Sequence, residues 1–127
     1  MIKVEGLYKY FGQIAAIDNI SFHVSKGEIA GFLGPNGSGK TTTMRILTGF
    51  FPPTKGKVEV AGYDILKYPI EAKKHIGYFP EKAPLYPDKR VKSYLEFVAE
   101  IYGIEKKERK KQVEYAIEVC GLNDVAS

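Results

Sequence analysis

Four residues in the second quarter of the chain have the spacing of a loop that holds phosphate. Gly34, Gly39, Lys40 and Thr41 match the pattern G-x-x-x-x-G-K-[ST] within the stretch GFLGPNGSGKTTTMRILTG. Glycines let the backbone take positive φ angles and approach a ligand closely, so that successive amides converge on one anion. The pattern therefore predicts a site for the polyphosphate of a nucleotide.

The chemistry of this loop also depends on the helix that should follow it. A helix starting at Lys40 turns the positive end of its dipole and its first unpaired amides toward the ligand. Lys40 supplies a mobile charge for the outer phosphates, and Thr41 offers a hydroxyl to Mg²⁺, which prefers oxygen ligands. The alternative, a glycine-rich turn with an incidental lysine, does not explain the position between a buried strand and a helix. The predicted nucleotide-binding residues of the loop are Gly34, Asn36, Gly37, Ser38, Gly39, Lys40, Thr41 and Thr42.

The flanking sequence predicts the elements that hold the loop. Residues 2–7 and 19–24 alternate apolar and polar side chains, as half-buried strands do. Residues 25–28 suit a turn, and residues 29–33, IAGFL, form an apolar run typical of a strand covered on both faces. A helix over residues 40–48 should then be closed by the glycine and prolines that follow it.

The second half of the chain predicts more helix. Residues 57–62 alternate again and should return to the first sheet. A short helical piece near residues 70–75 precedes a buried strand at residues 76–79 and a proline-rich loop at residues 80–88. Two helices with apolar stripes complete the chain. The stripes are Val91, Leu95, Val98 and Tyr102 in the first helix and Val113, Ala116, Ile117 and Cys120 in the second.

Composition limits the classes of function. The net charge of +4 comes largely from EKKERKK at residues 105–111, which is typical of a solvated helix face, so no nucleic-acid partner is expected. The N-terminus is not a signal peptide, and no apolar run approaches the roughly 20 residues that span a bilayer.

Cys120 is the only cysteine, which excludes an internal disulfide and favours a reducing compartment, and it should pack on its helix stripe. We expect His23 and His75 to be structural and residues 63–64 to form a turn.

The stretch GEIAGFLGPNGSGKTTTMRILTG resembles the ATP-binding subunits of ABC transporters, where the GPNGSGKTT form of the loop is typical. Three further stretches resemble the family in the same order: VEGLYKYFGQIAAIDNISFHVSKGE, FFPPTKGKVEVAGYDI and IGYFPEKAPLYPDKRVKSYLEFVAEIYG. The last is most similar to exporter ATPases of the class that includes the gliding-motility-associated transporters. The resemblance implies an α/β fold of the P-loop NTPase type, with ATP and Mg²⁺ as cofactors. It makes residues 1–80 part of the nucleotide-binding core, with an antiparallel β subdomain, and residues 81–127 the beginning of the helical subdomain.

The resemblance assigns roles to two residues outside the loop. Phe11, the aromatic residue before the glycine of YFG, should stack on adenine, and Tyr10 takes that place if the register differs by one. Stacking explains purine binding but not a strict choice of ATP over GTP. The alternative for Phe11 is an ordinary aromatic residue of the core or of the sheet edge.

The second of these residues is Glu81, where the family usually has glutamine. The glutamine contacts Mg²⁺ or the attacking water and senses the transporter partner. Glutamate still offers an oxygen to Mg²⁺, but its charge near the γ-phosphate should weaken nucleotide binding unless the metal neutralises it. The alternative is an ordinary residue of a surface loop.

Hydrolysis needs further groups, namely a carboxylate that holds Mg²⁺ and a residue that positions the attacking water. In the family these come after the helical subdomain, with a glycine-rich signature, and the sequence has no LSGG-like stretch and no apolar run ending in Asp-Glu. We therefore expect the N-terminal part of a longer ATPase. In the family, later strands lie between residues 29–33 and residues 76–79, so both segments should expose unpaired edges and apolar faces.

The leading hypothesis is the ATP-binding component of a membrane exporter. It would be cytoplasmic, held at the membrane by a membrane-spanning subunit that docks near residues 81–88, and would close on ATP as a homodimer. The alternatives are a soluble ABC ATPase acting on ribosomes or DNA and a nucleotide-binding module without catalysis. Co-purification with a membrane subunit or with ribosomes separates the first two. A small-molecule kinase or a GTPase shares the loop but has no reason to contain YFG and IGYFPE.

The 127-residue chain should bind Mg-ATP weakly and release no phosphate from it, because it has a complete phosphate loop without the later catalytic groups. A steady-state ATPase assay of the purified chain checks this. Turnover above background that the substitution Lys40→Ala abolishes would refute the prediction.

Overall fold

The structure of the protein, a computed structural model, describes residues 1–82 and 85–126. The chain divides into two units, Met1–Phe79 and Pro80–Ser127, each with its own cluster of buried apolar side chains. The strands of the described residues are β1 (Ile2–Phe11), β2 (Ile14–Val24), β3 (Lys55–Val60) and β4 (Tyr63–Asp64). Their helices are α1 (Lys40–Leu47), α2 (Pro69–Lys73), α3 (Val91–Ile101) and α4 (Lys106–Val119).

The first unit is organised by an antiparallel sheet with the strand order β2-β1-β3-β4. β1 and β2 form a hairpin in which Ile2 lies opposite Val24 and Val4 lies opposite Phe22. This register puts apolar side chains of both strands on one face, because alternate residues of a strand share a face. The predicted pair of half-buried strands is confirmed, and both strands extend further toward the hairpin turn than the alternation indicated.

Helix α1 covers the apolar face of this sheet. Its Ile46 and Leu47 are buried in one cluster with Val4 and Leu7 of β1. The helix ends close to the predicted position, where Gly49 takes a positive φ of 69° and its amide donates to the carbonyl oxygen of Ile46. A left-handed glycine is a common way to end a helix, because it lets the chain turn away while the last carbonyls keep partners.

Strand β3 returns the chain to the sheet beside β1, as residues 57–62 predicted. The strand begins two residues earlier than predicted and contains Gly56, whose φ is 95°. A side-chain carbon at Gly56 would overlap the backbone carbonyl of Gly6 on β1. Glycine is therefore required at this position both by its backbone angle and by the close approach of the neighbouring strand.

The turn predicted at Tyr63 and Asp64 is wrong. These two residues form β4, which pairs with the end of β3, and the turn is made by Ala61 and Gly62 instead, both at positive φ. Because Ala61 and Gly62 already reverse the chain direction, Tyr63 and Asp64 are extended. The ring of His75 stacks on that of Tyr63 with centroids 5.6 Å apart, a packing role like the one expected for this histidine.

The strands predicted at residues 29–33 and 76–79 are also wrong, because neither segment is in a strand. Ile29 and Leu33 are 99% and 94% exposed, and Phe79 is 86% exposed. A strand is stabilised by hydrogen bonds to a neighbour, and neither segment pairs with a strand within residues 1–82 and 85–126. The expectation that both segments expose apolar side chains is confirmed.

The second unit is a pair of helices. α3 and α4 bury Ala99 against Val113 and Ile117, with Leu95 and Val91 partly buried beside them. The two predicted helices are therefore confirmed, and their apolar stripes face each other.

The stripes are shorter than predicted, because Tyr102 and Cys120 are exposed. Each lies one residue past the last residue of its helix, where the chain turns at Gly103 or Gly121, both with positive φ. A helical period applies only inside a helix, so the side chains after its end leave the apolar stripe. Packing of Cys120 on its helix is thus a wrong prediction.

The remaining connections follow the sequence. The helical piece predicted near residues 70–75 is α2. Residues 80–82 and 85–88 form neither helix nor strand, as the proline-rich sequence predicted, while Ala83 and Pro84 of that loop lie outside the described residues. Across the residues that the structure describes, no helix has the length and apolar character needed to cross a membrane.

Replacing Gly56 by alanine should lower the free energy of unfolding by about 1–3 kcal/mol, because a side chain is strained at this positive φ and meets the β1 backbone. Urea denaturation followed by circular dichroism measures the change. Gly77→Ala is the matched control, since a side-chain carbon there meets nothing within 4 Å and its φ is not positive. Equal stability of the two variants would contradict the account of this strand pair.

Candidate phosphate-binding site

The predicted phosphate loop lies directly before α1 and turns through left-handed glycines. Gly37 and Gly39 have φ angles of 83° and 87°. A side-chain carbon at Gly39 would lie 2.5 Å from the carbonyl oxygen of Ala16 on β2. At Gly34 it would lie 2.7 Å from the hydroxyl of Ser38, a group that can rotate away. Glycine is therefore strictly required at position 39, where the loop is pressed against the sheet.

The first turn of α1 has amides that point out of the helix without acceptors. The amide of Thr43 donates to the carbonyl oxygen of Gly39 at 2.8 Å, which is the first bond of the helix. In the described part of the chain, the amides of Lys40, Thr41 and Thr42 have no backbone acceptor. No acidic residue lies in this first turn to offset the dipole. Such a helix end attracts an anion, because its partial positive charge is not neutralised by the protein.

Lys40 places its charge on the same loop. Its Nζ donates to the carbonyl oxygens of Gly34 and Pro35 at 2.5 and 2.6 Å. An ammonium group has three donors, so these two bonds leave one donor for a ligand. The lysine side chain is thus held against the loop by two carbonyl groups of the loop itself.

These features fit a polyphosphate group. An anion with several oxygens requires several donors, and this short loop offers three amides that have no backbone acceptor among the described residues and the ammonium of Lys40. Its left-handed glycines let the backbone approach such an anion closely. Thr41 follows Lys40 and is exposed, as are Asn36 and Ser38. The contacts of these side chains with nucleotide or Mg²⁺ stay predictions, and so does the role of Glu81, which belongs to the second unit.

Strand β2, which supports the loop, also forms the hairpin end with β1. Phe11 ends β1 opposite Ile14, and two residues further along β2 the backbone of Ala16 approaches Gly39. Phe11 is 44% exposed, which excludes a core aromatic but agrees with an aromatic of the sheet edge, so its contact with a base stays a prediction. Its ring meets that of Phe51 edge to face, with centroids 5.5 Å apart.

Three residues that matter to this geometry were not predicted. Ala16 supports Gly39 from β2, and Thr43 is buried with its hydroxyl donating to the carbonyl oxygen of Gly39 at 2.9 Å. Lys9 lies over the ring of Phe11, with its Nζ 5.1 Å from the ring centroid. The contact of Ala16 with Gly39 joins parts of the fold whose proximity no local pattern reveals, whereas Lys9 and Phe11 are alternate residues of β1.

Comparison with known proteins gives consistent matches. A model of the family described as ABC transporter matches residues 17–127. The chain is 37% identical over 127 residues to the probable multidrug ABC transporter ATP-binding protein YbhF of Escherichia coli, a match that covers 100% of this chain and 22% of that protein. It is 37% identical over 126 residues to the linearmycin resistance ATP-binding protein LnrL of Bacillus subtilis, covering 99% and 40%. The chain thus spans less than half the length of these two curated relatives.

A solved structure gives the same result at the level of the fold. It is an ATP-binding subunit of an ABC transporter, and it superposes with a TM-score of 0.84 at 25% sequence identity. The match covers 99% of this chain and 52% of the solved one.

Replacing Lys40 by alanine should weaken triphosphate binding about ten- to a hundredfold, because it removes a charge-assisted hydrogen bond from the ligand. Isothermal titration calorimetry with inorganic triphosphate measures the effect. Lys26→Ala is the matched control, since Lys26 lies in the exposed turn after β2 and its loss changes the net charge equally. Equal losses in the two variants would mean that only net charge matters, against the account of the loop.

Proposed function

Because the chain belongs to the ABC transporter family, we propose that it forms the ATP-binding part of a transporter that couples ATP binding and hydrolysis to export. The observation that carries this proposal is the loop before α1. There three amides without a backbone acceptor among the described residues, those of Lys40, Thr41 and Thr42, lie on the same short stretch of chain as the carbonyls of Gly34 and Pro35 that hold the Lys40 ammonium. A nucleoside triphosphate is a ligand that can accept hydrogen bonds from all of these donors at once.

The residues of the loop divide the work of holding the nucleotide. The backbone from Gly37 to Thr42 binds phosphate oxygens, and Lys40 neutralises the charge of the outer phosphates. The hydroxyl of Thr41 is the oxygen ligand that this unit offers to Mg²⁺. When bound, the metal offsets the negative charge that develops as the terminal phosphate is transferred.

Phe11 is the proposed contact for the base. It lies at the hairpin end, on the strand pair that backs the loop, and is 44% exposed. Base stacking contributes about 1–3 kcal/mol and is tolerant of the identity of the base. Tyr10 is the second candidate, because it is less exposed than Phe11, at 38%, and takes the place of the base contact only if the register differs by one.

Export is the direction of transport that we propose. The relatives named for a probable multidrug transporter and for linearmycin resistance support it. The partners that follow from this proposal are a second ATPase subunit, a copy of the same protein, and a membrane-spanning subunit that docks near residues 81–88. The ATPase would then lie at the cytoplasmic face of the membrane.

Replacing Phe11 by alanine should weaken Mg-ATP binding about five- to a hundredfold while leaving the affinity for inorganic triphosphate unchanged, because the stacking contact involves only the base. Calorimetric titrations with the two ligands measure both affinities. Tyr10→Ala is the matched control and should change neither. An equal loss for both ligands in the Phe11 variant would show a general effect on folding, and a loss confined to the Tyr10 variant would move the base contact to Tyr10.

A further inference from the structure

The ammonium of Lys9 contacts three groups, namely the rings of Phe11 and Phe51 and the carbonyl oxygen of Pro52. Its Nζ lies 5.1 Å from the centroid of Phe11 and 5.7 Å from that of Phe51. The same ammonium donates to the carbonyl oxygen of Pro52 at 2.8 Å. A cation over an aromatic face is attracted by the ring electrons, and the hydrogen bond fixes where this cation lies.

Phe51 is itself fixed from both sides of the chain. On the N-terminal side, its own amide and that of Phe50 donate to the carbonyl oxygen of Arg45 near the end of α1. After it, Thr54 donates its amide to the carbonyl oxygen of Tyr8 and accepts from the amide of Tyr10 through its hydroxyl. The segment therefore lies along the end of β1, and its position does not depend on the ring contact with Phe11.

These contacts restrict the ring of Phe11. The ammonium of Lys9 lies over one face, and the ring of Phe51 meets it at an interplanar angle of 76°. The base is therefore assigned to the face opposite the ammonium. A ring at the end of a hairpin that is already held in one orientation loses less conformational freedom when a ligand binds.

We propose that Lys9 is a positioning residue, which, with Phe51 and Pro52, holds Phe11 so that one ring face is presented to the base of the nucleotide. This inference rests on the base contact proposed for Phe11. Lys9 acts on the base through the ring in this proposal, because its ammonium lies over the rings of Phe11 and Phe51 and donates to the Pro52 carbonyl, and the triphosphate titration below tests whether it also contacts phosphate.

The experiment is a double-mutant cycle on the purified chain. The variants are Lys9→Met, which keeps most of the stem and removes the charge, Phe11→Ala and the combination of both. Binding of Mg-ATP and of inorganic triphosphate is measured by calorimetry for each. Lys3→Met is the matched control, since Lys3 lies on the same strand and its ammonium pairs with Glu5 at 2.8 Å.

Lys9→Met should weaken Mg-ATP binding about two- to fivefold and leave triphosphate binding unchanged, since an exposed cation–aromatic contact is a modest one. In the Phe11→Ala background the same substitution should have no further effect, because a residue that acts through a ring cannot act without it. Lys9→Arg, which keeps the cation and a donor, should restore most of the affinity. Lys3→Met should change neither affinity.

Each other outcome overturns a specific part of the proposal. Unchanged Mg-ATP affinity in Lys9→Met, additive losses in the double variant, or a loss of triphosphate affinity in Lys9→Met overturns the positioning role and leaves the base contact of Phe11 intact. Unchanged Mg-ATP affinity in Phe11→Ala overturns the base contact itself, and the role of Lys9 with it. If Lys9→Met does not fold, Lys9→Arg and Lys9→Gln replace it in the same cycle, and equal Mg-ATP affinities of these two variants overturn the positioning role.

Discussion

The close approach of Gly39 to strand β2 is the constraint on which the rest of the site depends. Gly39 takes a left-handed backbone conformation with no room for a side-chain carbon beneath it, because the carbonyl oxygen of Ala16 lies there. This residue ends the loop and begins α1, so its position sets the direction in which the helix starts. The amides of the next three residues point toward the loop as a result, and the hydroxyl and amide of Thr43 hold the Gly39 carbonyl from the other side.

The same strand joins the loop to the hairpin end. β2 touches Gly39 at Ala16 and pairs with β1 as far as Phe11, so a single strand pair positions the phosphate loop and the exposed aromatic ring. The segment after α1 then returns to β1 and places Phe51 and the Lys9 ammonium against that ring. All of these contacts lie within Met1–Phe79, the unit organised by the antiparallel sheet.

Much of this arrangement could be predicted from the sequence. The loop, α1 and the two strands at residues 2–7 and 19–24 follow from local patterns, and the α/β fold of the ABC ATPase type is confirmed by the family model and the solved structure. The strands predicted at residues 29–33 and 76–79 were wrong. An apolar run indicates only that a segment needs to be covered, whereas a strand forms only where a neighbouring strand pairs with it. The contacts of Ala16 with Gly39 and of Lys9 with Pro52 join residues far apart in the chain, so no periodicity could reveal them.

The central claim is that main-chain amides at the start of α1, with the ammonium of Lys40, hold the polyphosphate of a nucleotide. The most direct measurement is amide-resolved nuclear magnetic resonance of the ¹⁵N-labelled chain, titrated with Mg-ATP and separately with AMP, which has no β- or γ-phosphate. The account predicts that Mg-ATP shifts the amide signals of residues 37–42 more than any others in the first unit, and that AMP leaves them almost unchanged. Saturable Mg-ATP binding that shifts other amides but not these would contradict it.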